Sequence, residues 1–216
     1  MIVDTLWHVG KIFWEYMPLS GSAMRHRSRL GEPLVRKYGQ RLRDSALRSR
    51  WGQWEMIAHK IKQHPTGEDV STAYIRTLIA DDELAADSSP ETYLQFYTAW
   101  LRYWTTLSRK NDEPSLYSPP PRSQEDAIRA TKSLELHHRA AYGRRFFTSK
   151  RGYMGLGPQL SSYGYVIVVL LGGKTPHILR KDGKAHYRFV GECFVHGLMS
   201  GEALACDSNL QTFNIR

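Results

Sequence analysis

Apolar residues in the first two thirds of the chain recur at helical spacing. From Arg41 to Lys62 they fall three or four positions apart, with Arg and Lys on the other face, which indicates an amphipathic helix. The same spacing and suitable capping residues predict further helices near residues 74–79, from Ser89-Pro90, and from Ser123 to Tyr142. We therefore expect a mainly helical N-terminal region.

The pattern changes after Gly143, where short apolar runs alternate with turn-forming residues. The β-branched run from Val166 to Leu171 predicts a buried strand. Asp182-Gly183 lies between two further strand-like runs, a pattern typical of a β-hairpin. These signals predict a small set of antiparallel strands at the C-terminal end.

Together these patterns predict an α+β fold. Residues 1–143 would form a helical region of about five helices, and residues 144–216 a small antiparallel sheet or partly closed β-barrel. The 216 residues suffice for one well-buried core, so we expect the two regions to pack into one compact domain. A cleft between the aromatic helices and the β unit is the expected pocket.

The net charge of +9 raises the question of a charged partner. Residues 21–62 contain eleven Lys and Arg against three Asp and Glu. No zinc finger or RNA-recognition signature accompanies them, so we do not expect nucleic-acid binding. Solvated helix faces explain the charge. The alternatives are a protein partner that docks on the basic helices, an anionic membrane surface or nucleic acid.

The cysteine content and the apolar runs favour a cytoplasmic protein without a membrane span. Two cysteines, Cys193 and Cys206, are too few for a disulfide framework, and we expect them to be reduced. Residues 1–4 lack the features of a signal peptide. The longest strongly apolar run is too short to cross a bilayer.

Neither a metal nor a cofactor is expected. The glycine that a phosphate-binding loop needs at position 168, ahead of Gly173-Lys174-Thr175, is replaced by Val168. Cys193 and His196 have the spacing of one ligand pair, whereas a structural zinc site needs four ligands.

Several ordered segments resemble the region that follows the HET domain in fungal heterokaryon-incompatibility proteins. They are residues 143–147, 152–158, 168–173, 176–180 and 191–202, with upstream matches at Tyr74–Asp81 and, more weakly, at residues 2–5. Tyr165 replaces an acidic residue that the family usually has, and Ser200 replaces an Asp. The resemblance implies a C-terminal module without the HET domain itself, to which the family's cell-death role is assigned.

The segment Gly191–Glu202 contains the residues that could act as general acid or base, Glu192 and His196. On an extended strand these two side chains share a face but lie about 13 Å apart, at ~3.3 Å per residue. Cys193 points to the other face, which disfavours a Cys-His nucleophile pair. The alternative is a buried structural motif in which Glu192 and His196 bind neighbouring backbone groups.

We consider two main functions. The first is a cofactor-free enzyme, a cyclase or isomerase, or a binder of an apolar small metabolite in secondary metabolism. Its catalytic residues would be His196 and Glu192, and its substrate-binding residues Arg145, Tyr153, Arg180, Trp100, Trp104 and His138. For His138 the alternative is a role at the end of its helix. The second function is a non-enzymatic interaction module in fungal non-self recognition.

Overall fold

The computed structural model describes residues 2–12, 45–81, 94–95, 97–99, 124–183, 185–204 and 210–216. Within these residues the strands are β1 Ile2–Ile12, β2 Arg144–Ser149, β3 Met154–Pro158, β4 Val166–Val168, β5 His177–Asp182, β6 His186–Glu192, β7 Phe194–Val195 and β8 Asn214–Ile215. The helices are α1 Ser45–Ala58, α2 Val70–Leu78 and α3 Gln124–Ala141, with a 3-10 turn at Glu202–Leu204. Residues 94–95 and 97–99 are also helical.

All of these strands form one sheet, in the order β7-β3-β2-β1-β4-β5-β6-β8. The neighbours are antiparallel except for β6 and β8, which are parallel. Strand β1 lies at the centre, where Val9 pairs with Phe147 of β2 and Thr5 pairs with Val166 of β4. The N-terminal strand therefore joins two parts of the sheet that come from the C-terminal third of the chain.

The predicted α+β arrangement, with about five helices in residues 1–143 packed on a small C-terminal sheet, is wrong. The structure is built around one eight-stranded sheet, and its central strand comes from the region that we expected to be helical. Side chains of this strand alternate between the two faces, since Leu6 is fully buried and the adjacent Trp7 is 44% exposed. A division of the chain at residue 143 stays a prediction.

The sheet curls because β6 and β7 follow one another with only Cys193 between them, although they lie near opposite ends of the strand order. In β6, the ladder shifts between the pairs Leu179–Phe189 and Ile178–Gly191, a bulge that bends the strand. Gly191 has a φ of +147°, and a Cβ there would lie 2.7 Å from Pro158 Cγ in β3. A side chain at this position would prevent the close approach of β6 to β3.

Successive side chains of β2 supply the two sides of the core. Phe147 points into the curled sheet and packs in a cluster with Leu6 and Ile178. Phe146 points the other way, toward the helices, where its ring stacks on Trp54 of α1 at 5.7 Å. Burial of each Phe contributes about 1.5–3 kcal/mol relative to exposure. Strand β2 thus connects the interior of the curled sheet to the helical layer.

Several local predictions are confirmed. The helix predicted from Ser123 to Tyr142 is α3, and β5 and β6 form the predicted hairpin, with Asp182 opposite His186. Most of the helix predicted from Ser89-Pro90 lies outside the described residues. None of the helices in the described part of the chain has the length and apolar character needed to cross a membrane.

Replacing Gly10 by Ala tests the position of β1 under α1. A Cβ at Gly10 would lie 2.3 Å from Nε1 of the buried Trp54 side chain, so we expect Gly10→Ala to destabilise the fold by about 1–3 kcal/mol. The control is Gly52→Ala in α1, where a Cβ would meet nothing within 4 Å. That change should stabilise the helix by about 0.5–1 kcal/mol. Urea unfolding measures both effects, and a neutral Gly10→Ala variant would contradict the placement of β1.

Candidate functional site

The candidate site is a closed ring of hydrogen bonds among four charged side chains, one of which is His196. Its Nδ1 lies 2.7 Å from Asp81 Oδ2, and its Nε2 lies 2.5 Å from Glu68 Oε2. Arg76 completes the ring, because its Nε donates to Asp81 Oδ1 at 2.9 Å and its Nη1 donates to Glu68 Oε1. Each carboxylate therefore bridges one imidazole nitrogen and one guanidinium nitrogen. We call this set the His196 ring.

Helix α2 positions three members of the His196 ring. Glu68 directly precedes the N-cap residue Asp69, whose side chain accepts from two backbone N–H groups of the first turn. Arg76 lies in the last turn of α2. Asp81 follows the helix, and both Ala80 and Asp81 have positive φ values, 52° and 47°. This left-handed turn is costly for residues other than glycine, and it leads into the position from which Asp81 binds Arg76 and His196.

Strand β7 positions the fourth member. The backbone N–H of His196 donates to Met154 O of β3 at 2.9 Å, which places the residue directly after the edge strand. Gly197 then turns the chain with a φ of +79°. The His196 side chain is 5% exposed, whereas those of Glu68 and Asp81 are 29% and 32% exposed. The imidazole is therefore the buried centre of the ring, and the carboxylates lie at its border with solvent.

The geometry requires His196 to be an imidazolium when both carboxylates are ionised. Ionised carboxylates only accept hydrogen bonds, so both imidazole nitrogens of His196 must donate. Only the charged imidazole has two N–H groups. Burial acts to lower the pKa of His196, but the hydrogen bonds and charges of Asp81 and Glu68 outweigh it and raise the pKa above 6.5. Burial likewise opposes ionisation of both carboxyl groups, yet their contacts with His196 and Arg76 lower the pKa of each. The ring thus contains two positive and two negative charges.

His64 lies beside the His196 ring and has the opposite protonation behaviour. The two imidazole centroids are 5.1 Å apart, and His64 is 1% exposed. Its Nδ1 forms a hydrogen bond of 2.8 Å with Thr66 Oγ1, whereas its buried Nε2 has no hydrogen-bond partner among the described residues. Burial, reinforced by the positive charge of His196, lowers the pKa of His64 to about 4. A neutral imidazole therefore adjoins a charged one.

The two predicted catalytic residues occupy different environments. His196 is buried in the ring, whereas Glu192 is exposed at the end of β6, opposite His177. Cys193, between them in sequence, is buried, and this burial raises the pKa of its thiol. Neither Glu192 nor Cys193 takes part in the hydrogen bonds of the His196 ring.

Of the predicted substrate-binding residues that the structure describes, only Tyr153 lies near the His196 ring, with its phenol ring edge-on to His64 at a centroid distance of 6.0 Å. Arg145 lies half-buried in β2, and Arg180 is exposed in β5. His138 lies in the last turn of α3 and packs on Tyr142 at a centroid distance of 4.9 Å. Trp100 and Trp104 lie outside the described residues. Their substrate-binding roles stay predictions.

Sequence reasoning did not identify Glu68, Arg76 and His64 as site residues. Asp81 lay within a segment that resembles the family, and in the structure its carboxylate contacts two cationic side chains. A usable signal was present, because the resembling segments Tyr74–Asp81 and Gly191–Glu202 together contain three of the four ring members. A predicted contact between these two segments would have brought Arg76, Asp81 and His196 together.

The His196 ring can hold two parts of the structure together, but its imidazole protons are both committed. Proton transfer by His196 would require one of its carboxylate contacts to open. Breaking a buried pair costs several kcal/mol when one charge is left alone. Within the described residues, no group of three or more His, Cys, Asp or Glu side chains could hold a metal ion.

The curled sheet and the ionic ring that ties helix α2 to it define a β-barrel-type domain. Residues 56–214 match the family model of the Het-6 beta-barrel domain, and the chain belongs to this family. This result confirms the resemblance to heterokaryon-incompatibility proteins. The expectation that the HET domain is absent stays a prediction.

A curated relative is heterokaryon incompatibility protein 6, OR allele, of Neurospora crassa. It is 35% identical to this chain over 63 residues, which are 28% of this chain and 9% of the relative. The match therefore spans less than a tenth of the relative's length. No solved structure matches the chain.

Replacing His196 by Gln should cost about 3 kcal/mol in unfolding free energy at neutral pH, because Asp81 and Glu68 lose their buried cation. The control is His59→Gln, at an exposed position just after α1, which should change stability by less than about 0.5 kcal/mol. Urea unfolding of both variants provides the comparison. Equal effects of the two substitutions would show that the His196 ring does not stabilise the fold.

The two buried imidazoles should titrate on opposite sides of pH 6.5. The His196 contribution to stability is complete below its unfolded pKa and is lost as the pH rises through its raised folded pKa. The His64 contribution is present above about 6.5 and is lost as the pH falls toward about 4. NMR titration of the Cε1–H signals, assigned with His196→Gln and His64→Gln, measures both values. Titration of both imidazoles near pH 6.5 would contradict the charged state of His196 and the neutral state of His64.

Proposed function

We propose that this chain is a non-enzymatic interaction domain in fungal heterokaryon incompatibility. The observation that supports this most strongly is the match of residues 56–214 to the Het-6 beta-barrel domain. The relative matched over 63 residues is named as a heterokaryon incompatibility protein, which favours the same process for this chain. In this proposal the curled sheet and its helices form a stable surface that recognises another protein.

The contacts of the His196 ring support a stabilising role for the segment Gly191–Glu202, whose residue types suggested catalysis. Both imidazole nitrogens bind carboxylates at 2.5 and 2.7 Å, and the side chain is 5% exposed. A general acid or base must exchange its proton with a substrate, so it needs a nitrogen that a substrate can reach. In this proposal His196 maintains the fold, and recognition takes place on the surface.

The stretch of residues 21–62, which is rich in Lys and Arg, is the proposed contact surface for a partner. Residues 21–44 lie outside the described residues, so only residues 45–62 contribute structural evidence. There Met56 is 64% exposed, and Lys60 lies four positions further along the chain. An exposed apolar side chain near a cation suits a protein partner with an acidic rim around an apolar contact.

Gene deletion in the fungus that carries this chain tests the proposal. Deletion should allow at least one previously incompatible pairing to form viable heterokaryons, measured by hyphal growth and by dye exclusion in fused cells. Reintroduction of the wild-type gene or of His59→Gln should restore incompatibility. His196→Gln should not restore it, because loss of the ring lowers the folded fraction of the protein.

Unchanged incompatibility in all pairings would overturn this proposal. If deletion instead removed a compound from the culture extract, measured by mass spectrometry, the result would favour an enzyme. The same deletion strain therefore distinguishes a recognition domain from a biosynthetic protein.

The second candidate is cofactor-independent cyclisation or isomerisation of an apolar metabolite in secondary metabolism. The pairing of His64 and His196 favours it, because a neutral imidazole and an imidazolium 5.1 Å apart are a base and an acid. In this candidate His196 supplies a proton after the ring opens, and Glu192 stays a proposed second catalytic group. Tyr153, edge-on to His64, is the proposed substrate contact nearest to the pair.

A further inference from the structure

A surface pocket of about 340 Å³ lies away from the predicted catalytic residues. Its walls are Trp7-His8 of β1, residues 60–63 after α1, and residues 148–152, which include the end of β2 and the turn toward β3. The volume is within the range of small-molecule sites, which begins at about 300 Å³. The pocket thus has the size of a small-ligand site rather than of a protein interface.

The lining of this pocket is strongly basic. It contains four cationic side chains, Lys60, Lys62, Lys150 and Arg151, and no Asp or Glu. Among the described residues, no carboxylate lies within salt-bridge distance of the two lysines after α1. Like charges placed together, as Lys60 and Lys62 are in this lining, repel one another and favour a bound anion.

One carboxylate lies beside the turn, and it binds the backbone there. Asp4 is buried, and its two oxygens accept from Thr5 N and Arg151 N, both at 2.7 Å. The neighbouring N–H groups of Lys150 and Gly152 donate to Thr5 O and Ser149 O. The backbone N–H groups of the turn are therefore used, and its side chains are what remain for a ligand.

One aromatic side chain adds an apolar wall to the charged pocket. Trp7 is 44% exposed, and Lys150 Nζ lies 5.5 Å from its ring centroid. This contact holds one ammonium group over an aromatic face at the pocket edge. If an anionic group of a ligand drew the Lys150 ammonium away from the indole, an apolar part of the ligand could pack on Trp7.

The loop that carries Lys62 is fixed by a buried side chain that packs in the protein interior. Its next residues lead to His64, which is buried beside the His196 ring. Across the pocket, Gly152 approaches this loop so closely that a Cβ there would lie 3.1 Å from Gln63 O. This close approach sets the distance between the two walls, so Lys60 and Lys62 on one side and Lys150 on the other line the same space before a ligand binds.

We propose that this pocket binds a small molecule that carries two or more phosphate groups. The three lysines of the lining, Lys60, Lys62 and Lys150, alone exceed the charge of a single carboxylate or phosphate, since a phosphate monoester carries about −1.5 to −2 at pH 7. Lysine ammonium groups bind phosphate as point charges without the fixed geometry that a carboxylate pair with arginine requires. The proposal goes beyond a role in incompatibility and does not depend on it.

Calorimetric titration of the full chain with inorganic pyrophosphate, at physiological ionic strength, tests the proposal. We expect one site and an affinity at least about tenfold higher than for citrate, which matches the charge without phosphate. Lys62→Gln should weaken pyrophosphate binding about tenfold, because it removes one charged contact. The matched control is Lys181→Gln, an exposed lysine of β5 outside the pocket, which should leave the affinity unchanged.

Three results would overturn the proposal. Equal weakening by Lys62→Gln and Lys181→Gln would mean that the anion binds to diffuse surface charge. Equal affinities for citrate and pyrophosphate would exclude selectivity for phosphate. A single-stranded oligonucleotide that binds more tightly than pyrophosphate, with an affinity that falls steeply with salt, would assign the surface to nucleic acid instead. Thermal unfolding of both variants confirms that they are folded in the assay.

Discussion

The His196 ring is the constraint on which the arrangement of helix α2 and the edge of the sheet depends. Two of its members flank α2 and a third lies in the helix, whereas His196 follows the edge strand β7. Removing an imidazolium from water is costly, and two carboxylates offset that cost only if they are held in place. Arg76 holds them, since it binds the second oxygen of each. All four side chains must therefore be in position together, which couples the helix to the closing end of the sheet.

This coupling extends to the loop between α1 and α2. His64 packs against His196 on one side and Tyr153 on another, so the loop is fixed by a buried neutral imidazole. The same loop presents Lys62 to solvent in the basic pocket. Residues 62–64 of this loop thus link the buried His196 ring to the surface of the basic pocket. Besides its direct partners Asp81 and Glu68, a change in the charge of His196 would affect His64, whose pKa the charge of His196 helps to lower.

The elements that sequence predicted correctly are those with local signals. The hairpin of β5 and β6 follows from Asp182-Gly183, and α3 follows from its capping residues and apolar spacing. Strand β1 lacks such a signal, because its partners β2 and β4 lie more than 130 residues away in the chain. Periodicity reports which face of an element is buried and not which distant strand covers it. This limit explains why the N-terminal region was predicted as helical throughout.

The same limit applies to the site. His196 could be selected from its residue type and its glycine-rich surroundings, but its partners Asp81 and Glu68 are 115 and 128 positions away. A histidine in a sequence motif has the same appearance whether it transfers protons or carries a fixed charge. The second role becomes visible only when both nitrogens are seen to bind carboxylates.

The contrast between His196 and the basic pocket separates stability from recognition in this fold. In the His196 ring, two positive and two negative charges satisfy one another, and the imidazole is buried. In the pocket, four of the lining side chains are cationic and none is a carboxylate. Charges that neutralise one another hold a structure together, whereas charges of one sign at a surface favour the binding of an opposite charge from outside. Within the described residues, the part of the molecule best suited to bind an anionic ligand is therefore the lysine-rich pocket. His196, which resembled a catalytic group, packs instead on His64, at the end of the loop segment that lines this pocket.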